Sequence, residues 1–114
     1  MENNDLFPEG TREMNKKKAN LAPDIIDSWR NFSRSVFQEG ALPAKTKQLI
    51  AVAAAHITQC PYCIRGHVAQ AKKAGVTEEE MMEAIWIAAE MRAGAAYAHA
   101  NIAMDEMEKQ KSKK

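Results

Sequence analysis

Apolar residues recur along this chain at the three- and four-residue spacings of a helix. Ile25, Ile26, Trp29, Phe32, Val36 and Phe37 form one such stripe. It predicts a first helix from Pro23, whose fixed φ suits a first turn, to just before Gly40. A core face is the expected role of that stripe. "ALPAKTKQLIAVAAAHITQ" predicts a second helix, with Pro43 near its start. Leu49, Ile50, Val52, Ala53, Ala54 and Ile57 make it apolar on most sides, so it should be buried, in its own domain or between subunits. "CPYCIRGHVAQAKKAG" predicts a third, with Cys60 as N-cap, Pro61 in the first position and Gly75 as the stop after Lys72 and Lys73. "TEEEMMEAIWIAAEM" predicts a fourth. Thr77 and Glu80 fit a capping box, Glu78 and Glu79 sit at the positive helix end, and Met81, Ile85, Ala88 and Ala89 give the apolar face. A fifth runs from around Gly94 to Lys109 and opens with the small residues of "AGAAYAHA", suited to close packing. Residues 1–20 read as a polar lead-in, 21–110 as the helical domain and 111–114 as a lysine-rich tail.

Composition agrees with this pattern. A chain of 114 residues is long enough for one core. It is 46% hydrophobic and 27% charged, as in soluble globular proteins. Aromatics are few at 6%, whereas the helix formers Ala and Met abound. The expected fold is all-α, a single-domain bundle of about five helices. A net charge of +1 supplies no field toward nucleic acid or anionic lipid. Lys16, Lys17 and Lys18, and Lys109, Lys111, Lys113 and Lys114, lie in polar terminal segments without interleaved aromatics, which reads as solvated ends. "MENNDLFPEG" is polar and acidic, unlike a secretory signal. No apolar run reaches the length of a membrane span, and "LIAVAAAHI" is interrupted by His56. The expected location is cytoplasmic. In a reducing compartment, two cysteines three residues apart point to catalysis or metal binding rather than to a structural bridge.

The chemistry concentrates in "TQCPYCIRGH". At about 100° per residue, Cys60, Cys63 and His67 fall within one narrow arc of a helix. Cys63 and His67 are four apart and so are surface neighbours. Cys60 and Cys63 are three apart, a spacing at which a dithiol can close. The unpaired N–H groups and dipole of a helix start favour a thiolate. A histidine beside it can stabilise that anion or take the thiol proton. Such a set suffices for thiol–disulfide exchange or for attack on a peroxide O–O bond. Two other readings stand beside it. A zinc site would need His56 or His99 to complete four ligands, and two inert cysteines on a core helix would pack as small hydrophobes. His56 on an apolar helix and His99 among alanines read as satisfied packing residues, and Tyr62 as a packing residue or a hydrogen-bond donor to the site.

From Leu42 to Ala100, with the cysteines and histidine ungapped, the sequence resembles the carboxymuconolactone decarboxylase superfamily, specifically its alkyl hydroperoxidase D-like branch. The decarboxylases generally lack the cysteine pair. The resemblance implies an all-α homo-oligomer, a trimer or hexamer, acting on peroxide or disulfide without a cofactor. It implies attack by Cys63, resolution by Cys60, proton movement through His67, and reduction by a lipoylated or other dithiol protein. The branch carries a glutamate twelve residues before the first cysteine, where this chain has Gln48. Glutamine can hydrogen-bond but does not exchange a proton near neutral pH. Glu90, between "AIWIAA" and "AGAAYAHA", is the candidate substitute, against the alternative of a solvated carboxylate or one paired with Arg92. A decarboxylase-like lyase and a non-catalytic redox-switchable module remain as alternative functions.

Overall fold

The computed structural model describes residues 6–111 and Lys113. Among them the protein is all-α, with six helices: α1 (Arg12–Leu21), α2 (Pro23–Phe37), α3 (Ala44–Thr58), α4 (Pro61–Lys73), α5 (Glu78–Ala98) and α6 (Ala100–Lys111). The five expected helices correspond to α2–α6. The additional helix, α1, lies within the polar lead-in. Thr11 caps it by accepting the Met14 N–H at 3.1 Å. Ser112 and Lys114 of the lysine-rich tail fall outside the described residues.

The chain forms two compact units, Met1–Ala44 and Lys45–Lys114. In the first, neither α1 nor α2 buries a residue. The stripe on α2 therefore departs from the expected core face: Ile25 is 73% exposed, Trp29 59% and Phe32 61%. The cause is compositional. The other helix of this unit, REMNKKKANL, has almost no apolar surface to offer. Trp29 and Phe32 lie against each other instead, with ring centroids 5.8 Å apart.

The second unit holds the core. Val52 of α3, Ala71 of α4 and Val76 after α4 are buried together, with Leu49, Val68, Met81 and Ile85 packed around them. Ala55, Ala84 and Ala88 are buried as well, while Ala89, expected on the apolar face of α5, is exposed. Gly75 ends α4 with φ of +91°, which an L side chain rarely adopts, and Val76 N–H returns to Ala71 O at 3.0 Å. That turn delivers Val76 into the core. Thr77 then caps α5 in the expected capping box: Thr77 N–H donates to Glu80 Oε1 at 2.8 Å, and Glu80 N–H donates to Thr77 Oγ1 at 3.1 Å. Lys45 Nζ reaches Glu80 Oε2 at 3.2 Å and ties the start of α3 to the start of α5.

The boundary expected at Gly94 is absent. α5 runs through it and breaks only at His99. One glycine costs a helix about 1 kcal/mol relative to alanine. Ala93, Ala95 and Ala96 flank it, and these strongest of helix formers carry the helix across.

Candidate active site

The site grows out of the junction between α3 and α4. Carbonyls at the end of a helix lack intrahelical donors. Here Ala55 O accepts from Thr58 Oγ1 at 3.3 Å and from Cys60 N–H at 3.3 Å. Gln59 makes the intervening reversal with φ of +59°. A left-handed residue followed by a six-to-one hydrogen bond is the Schellman ending. Cys60 thus closes α3 with its N–H. With its side chain it also opens α4: Sγ accepts the Cys63 N–H at 3.3 Å, Cys60 O accepts the Ile64 N–H at 2.9 Å, and Pro61 follows in the first turn. The expected N-cap role of Cys60 is therefore what the local hydrogen bonds show.

Both cysteines are free thiols, and they approach to 3.0 Å. Their ordinary acidities are pulled apart. The Cys63 thiol and then the Cys63 N–H, hydrogen-bonded to the Cys60 sulfur, push the Cys60 thiol below the usual range, with a smaller contribution from the Tyr62 N–H. The same thiol–thiol bond, followed by desolvation and the Cys60 charge, pushes Cys63 above it. Ionisation is thus easier at Cys60 than at Cys63.

His67 lies one turn beyond Cys63 on α4. Its Nδ1 is 2.9 Å from Gln48 Oε1 of α3. An amide oxygen only accepts, so Nδ1 carries the hydrogen and the neutral ring keeps its lone pair on Nε2. This bond is held from below. Leu49 and Val68, the sequence neighbours of Gln48 and His67, both pack on the Val52–Ala71–Val76 core. The core thereby fixes two half-buried polar groups opposite each other.

The other candidates fall elsewhere. Glu90 is exposed on α5, with its carboxylate turned back over Gly94: Oε2 would stand 3.5 Å from a Cβ added there. It is Gln48 that hydrogen-bonds to His67. His56 Nδ1 donates to Val52 O at 2.8 Å, a bond back along its own helix. His99 is an exposed residue at the α5–α6 break. Tyr62 is about half exposed and contributes its backbone N–H to Cys60. Among the described residues, no three or more His, Cys, Asp or Glu side chains are grouped to hold a metal ion. The sequence offers Arg92 only as a partner for Glu90. Instead, its Nη1–H donates to Ile57 O at 2.9 Å, at the end of α3. A single cation among alanines and a glycine was the only sequence signal for this.

A family model for the carboxymuconolactone decarboxylase family matches residues 23–106. An uncharacterized protein of the cox locus of Paracoccus denitrificans is 64% identical over 80 residues, 70% of this chain and 72% of that protein. A crystal structure from Methanobacterium thermoautotrophicum has a TM-score of 0.69 at 38% identity, covering 73% of this chain and 93% of that one. A carboxymuconolactone decarboxylase family protein from Thermotoga maritima has a TM-score of 0.53 at 28% identity, covering 75% and 94%. A part in the antioxidative response has been suggested for that protein. With more than two thirds of its length matched, this chain belongs to the carboxymuconolactone decarboxylase family.

Proposed function

We propose that this protein is a thiol-dependent antioxidant oxidoreductase, which reduces a peroxide or a disulfide with the Cys60–Cys63 dithiol. The observation that carries the reading is the pair itself: two free thiols 3.0 Å apart at a helix start, sharing a hydrogen bond that favours one anion. The suggested antioxidative part of the Thermotoga maritima relative supports the same class. His67 takes the proton from Cys63 onto its Nε2 lone pair, with Nδ1–H anchored on Gln48. The Cys63 thiolate attacks the peroxide O–O bond, giving a sulfenic acid and releasing an alcohol after protonation. The Cys60 thiol group then displaces water and closes the disulfide. In sum, dithiol and ROOH give disulfide, ROH and water. A dithiol partner, lipoylated or otherwise, returns both electrons.

A second order of events is favoured by the acidity of the thiols. Cys60, the more acidic thiol, attacks first, above all on a disulfide substrate, and Cys63, deprotonated by His67, resolves. Single Cys60→Ser and Cys63→Ser chains separate the two orders by where sulfenic acid forms with peroxide. Mass spectrometry after one equivalent of peroxide tests the function as a whole. The expected product has lost two hydrogens and carries the Cys60–Cys63 disulfide. An unchanged dithiol would sink the proposal. Turnover of a lactone acid that survives alkylation of both cysteines would put a lyase in its place, and a disulfide without turnover would indicate a redox switch.

Self-association belongs to the same reading. Trp86 is 68% exposed and Ile87 62%, and Ile50 and Ile57 line an open groove of about 490 Å³ between α3 and α5. Large exposed apolar patches mark interfaces, and a second copy is the proposed cover. No helix among the described residues is long and apolar enough to cross a membrane. A cytoplasmic location fits thiols that must be kept reduced.

A further inference from the structure

We propose that Arg92 is a positioning residue for the dithiol, holding the end of α3 so that Cys60 is presented at the start of α4. The inference rests on the redox reading of Cys60 and Cys63 and names a residue outside the helices that carry them.

The argument starts from the turn. Gln59 adopts a left-handed backbone with φ of +59°. For a residue with a Cβ this conformation costs roughly 1–2 kcal/mol. Such strain persists only where the surroundings over-determine it. One contact spans this turn, Cys60 N–H to Ala55 O at 3.3 Å, and a second, Arg92 Nη1–H to Ile57 O at 2.9 Å, holds the helix end that leads into it. Ile57 stands two residues before Gln59 and three before Cys60. Its carbonyl belongs to the last turn of α3, where the helix dipole is negative and a cation is favoured.

The consequences run directly to the sulfur. Cys60 Sγ accepts the Cys63 N–H only while α4 starts in its present register. That register follows from the Gln59 reversal, and the reversal from the anchoring of α3. Arg92 is supplied by α5, where its neighbours Ala89, Ala93 and Gly94 are exposed, and its guanidinium reaches across to the end of α3. Release of Ile57 O lets the α3 end fray. The Cys60 anion then loses part of its hydrogen bonding, the reduced form is stabilised less, and the disulfide becomes relatively more stable.

The test compares wild type, Arg92→Gln and Arg92→Lys in the full-length chain, equilibrated with glutathione redox buffers. The couple is dithiol to disulfide with loss of two electrons and two protons, accepted by oxidised glutathione. Arg92→Gln should shift the equilibrium constant about tenfold toward disulfide, about 30 mV more reducing for a two-electron couple. The ultraviolet thiolate titration of its more acidic cysteine should move upward. Arg92→Lys, which keeps a cationic donor, should restore at least half of both shifts. A residue that merely stabilised the fold would lower the melting temperature and leave potential and titration unmoved, and that result overturns the proposal. A wild-type chain that forms no reversible disulfide overturns the redox reading and this inference together. A normal wild-type couple with an unchanged Arg92→Gln couple overturns only this one.

Discussion

Replacing Gln48 by glutamate tests the proton path most directly. The His67 Nδ1–H bond to Gln48 Oε1 is 2.9 Å long and half-buried. A neutral hydrogen bond of this kind contributes about 1 kcal/mol net, and one to a charged group about 1.5–3 kcal/mol. The carboxylate therefore gains roughly 1 kcal/mol over the amide once the ring is protonated, and discounting for partial exposure keeps the value near the lower end. At 1.4 kcal/mol per tenfold, that is about a fivefold gain in the step where His67 holds the Cys63 proton. Gln48→Leu works in the opposite direction. It removes the acceptor and strands Nδ1–H, costing about 1–3 kcal/mol of stability and roughly 5 °C of melting temperature per kcal/mol. The assay is the second-order rate constant for thiol loss to peroxide near pH 7, with free thiols counted after quenching. The expected order is Gln48→Glu fastest, wild type next, Gln48→Leu slowest. A folded Gln48→Glu chain no faster than wild type would refute the role given to His67. So would a folded Gln48→Leu chain that matches wild type.

Three further outcomes follow from the geometry. Alkylation against pH should show Cys60 reacting first, with its inflection below the ordinary thiol range, and Cys63 only above it; in Cys60→Ser, Cys63 should titrate lower than in wild type, and coincident titrations in wild type would contradict the shared hydrogen bond. Glu80 is held below the usual carboxylate range by the Thr77 N–H and then by Lys45; a lowered acid stabilises the fold fully above its ordinary value and loses that contribution as pH falls through the lowered one. Glu80→Gln should therefore flatten the acid limb of melting temperature against pH, and an unchanged limb would remove Glu80 from the account. Val52 is fully buried, so Val52→Ala should cost about 2 kcal/mol from two lost methyl groups and the space they leave, read as a drop in urea midpoint at constant slope.

How much of this was legible in the chain depends on the range of the interactions. The start of α4 is local: Pro61 sets φ, Cys60 precedes it, and Gly75 supplies the left-handed stop, so the pattern of residues suffices. The capping box at Thr77 is local too. The α5–α6 boundary lies beyond Gly94 because the alanines around that one glycine outweigh its cost to the helix. The α2 stripe was legible as a stripe, but periodicity reports that a face is apolar, not what covers it. The Gln48–His67 bond joins residues nineteen apart on two helices, and the resemblance, not the spacing, singled out Gln48. Nothing local announced Gln59, a residue with a Cβ where glycine or asparagine is usual, or the reach of Arg92 across thirty-five positions to Ile57.

These long-range contacts explain why the motif alone underdetermines the chemistry. A helix start by itself favours an anion on whichever thiol its N–H groups reach. In this chain the Cys60 sulfur receives both the Cys63 N–H and the Cys63 thiol, so Cys60 is the thiol whose ionisation is favoured, whereas His67 follows Cys63 by one turn of α4. Attack by Cys63 then requires that His67 remove a proton whose departure the Cys60 charge opposes. Attack by Cys60 starts from the thiol whose ionisation the site favours. The amide at position 48 sharpens this difference, because it orients the ring without adding charge to favour its protonation. An exchange reaction beginning at Cys60 is therefore less sensitive to Gln48 than a peroxide reaction beginning at Cys63. If both substrates are turned over, Gln48→Glu should accelerate the peroxide reaction and leave disulfide exchange nearly unchanged. Equal acceleration of both would place the same thiol first in each.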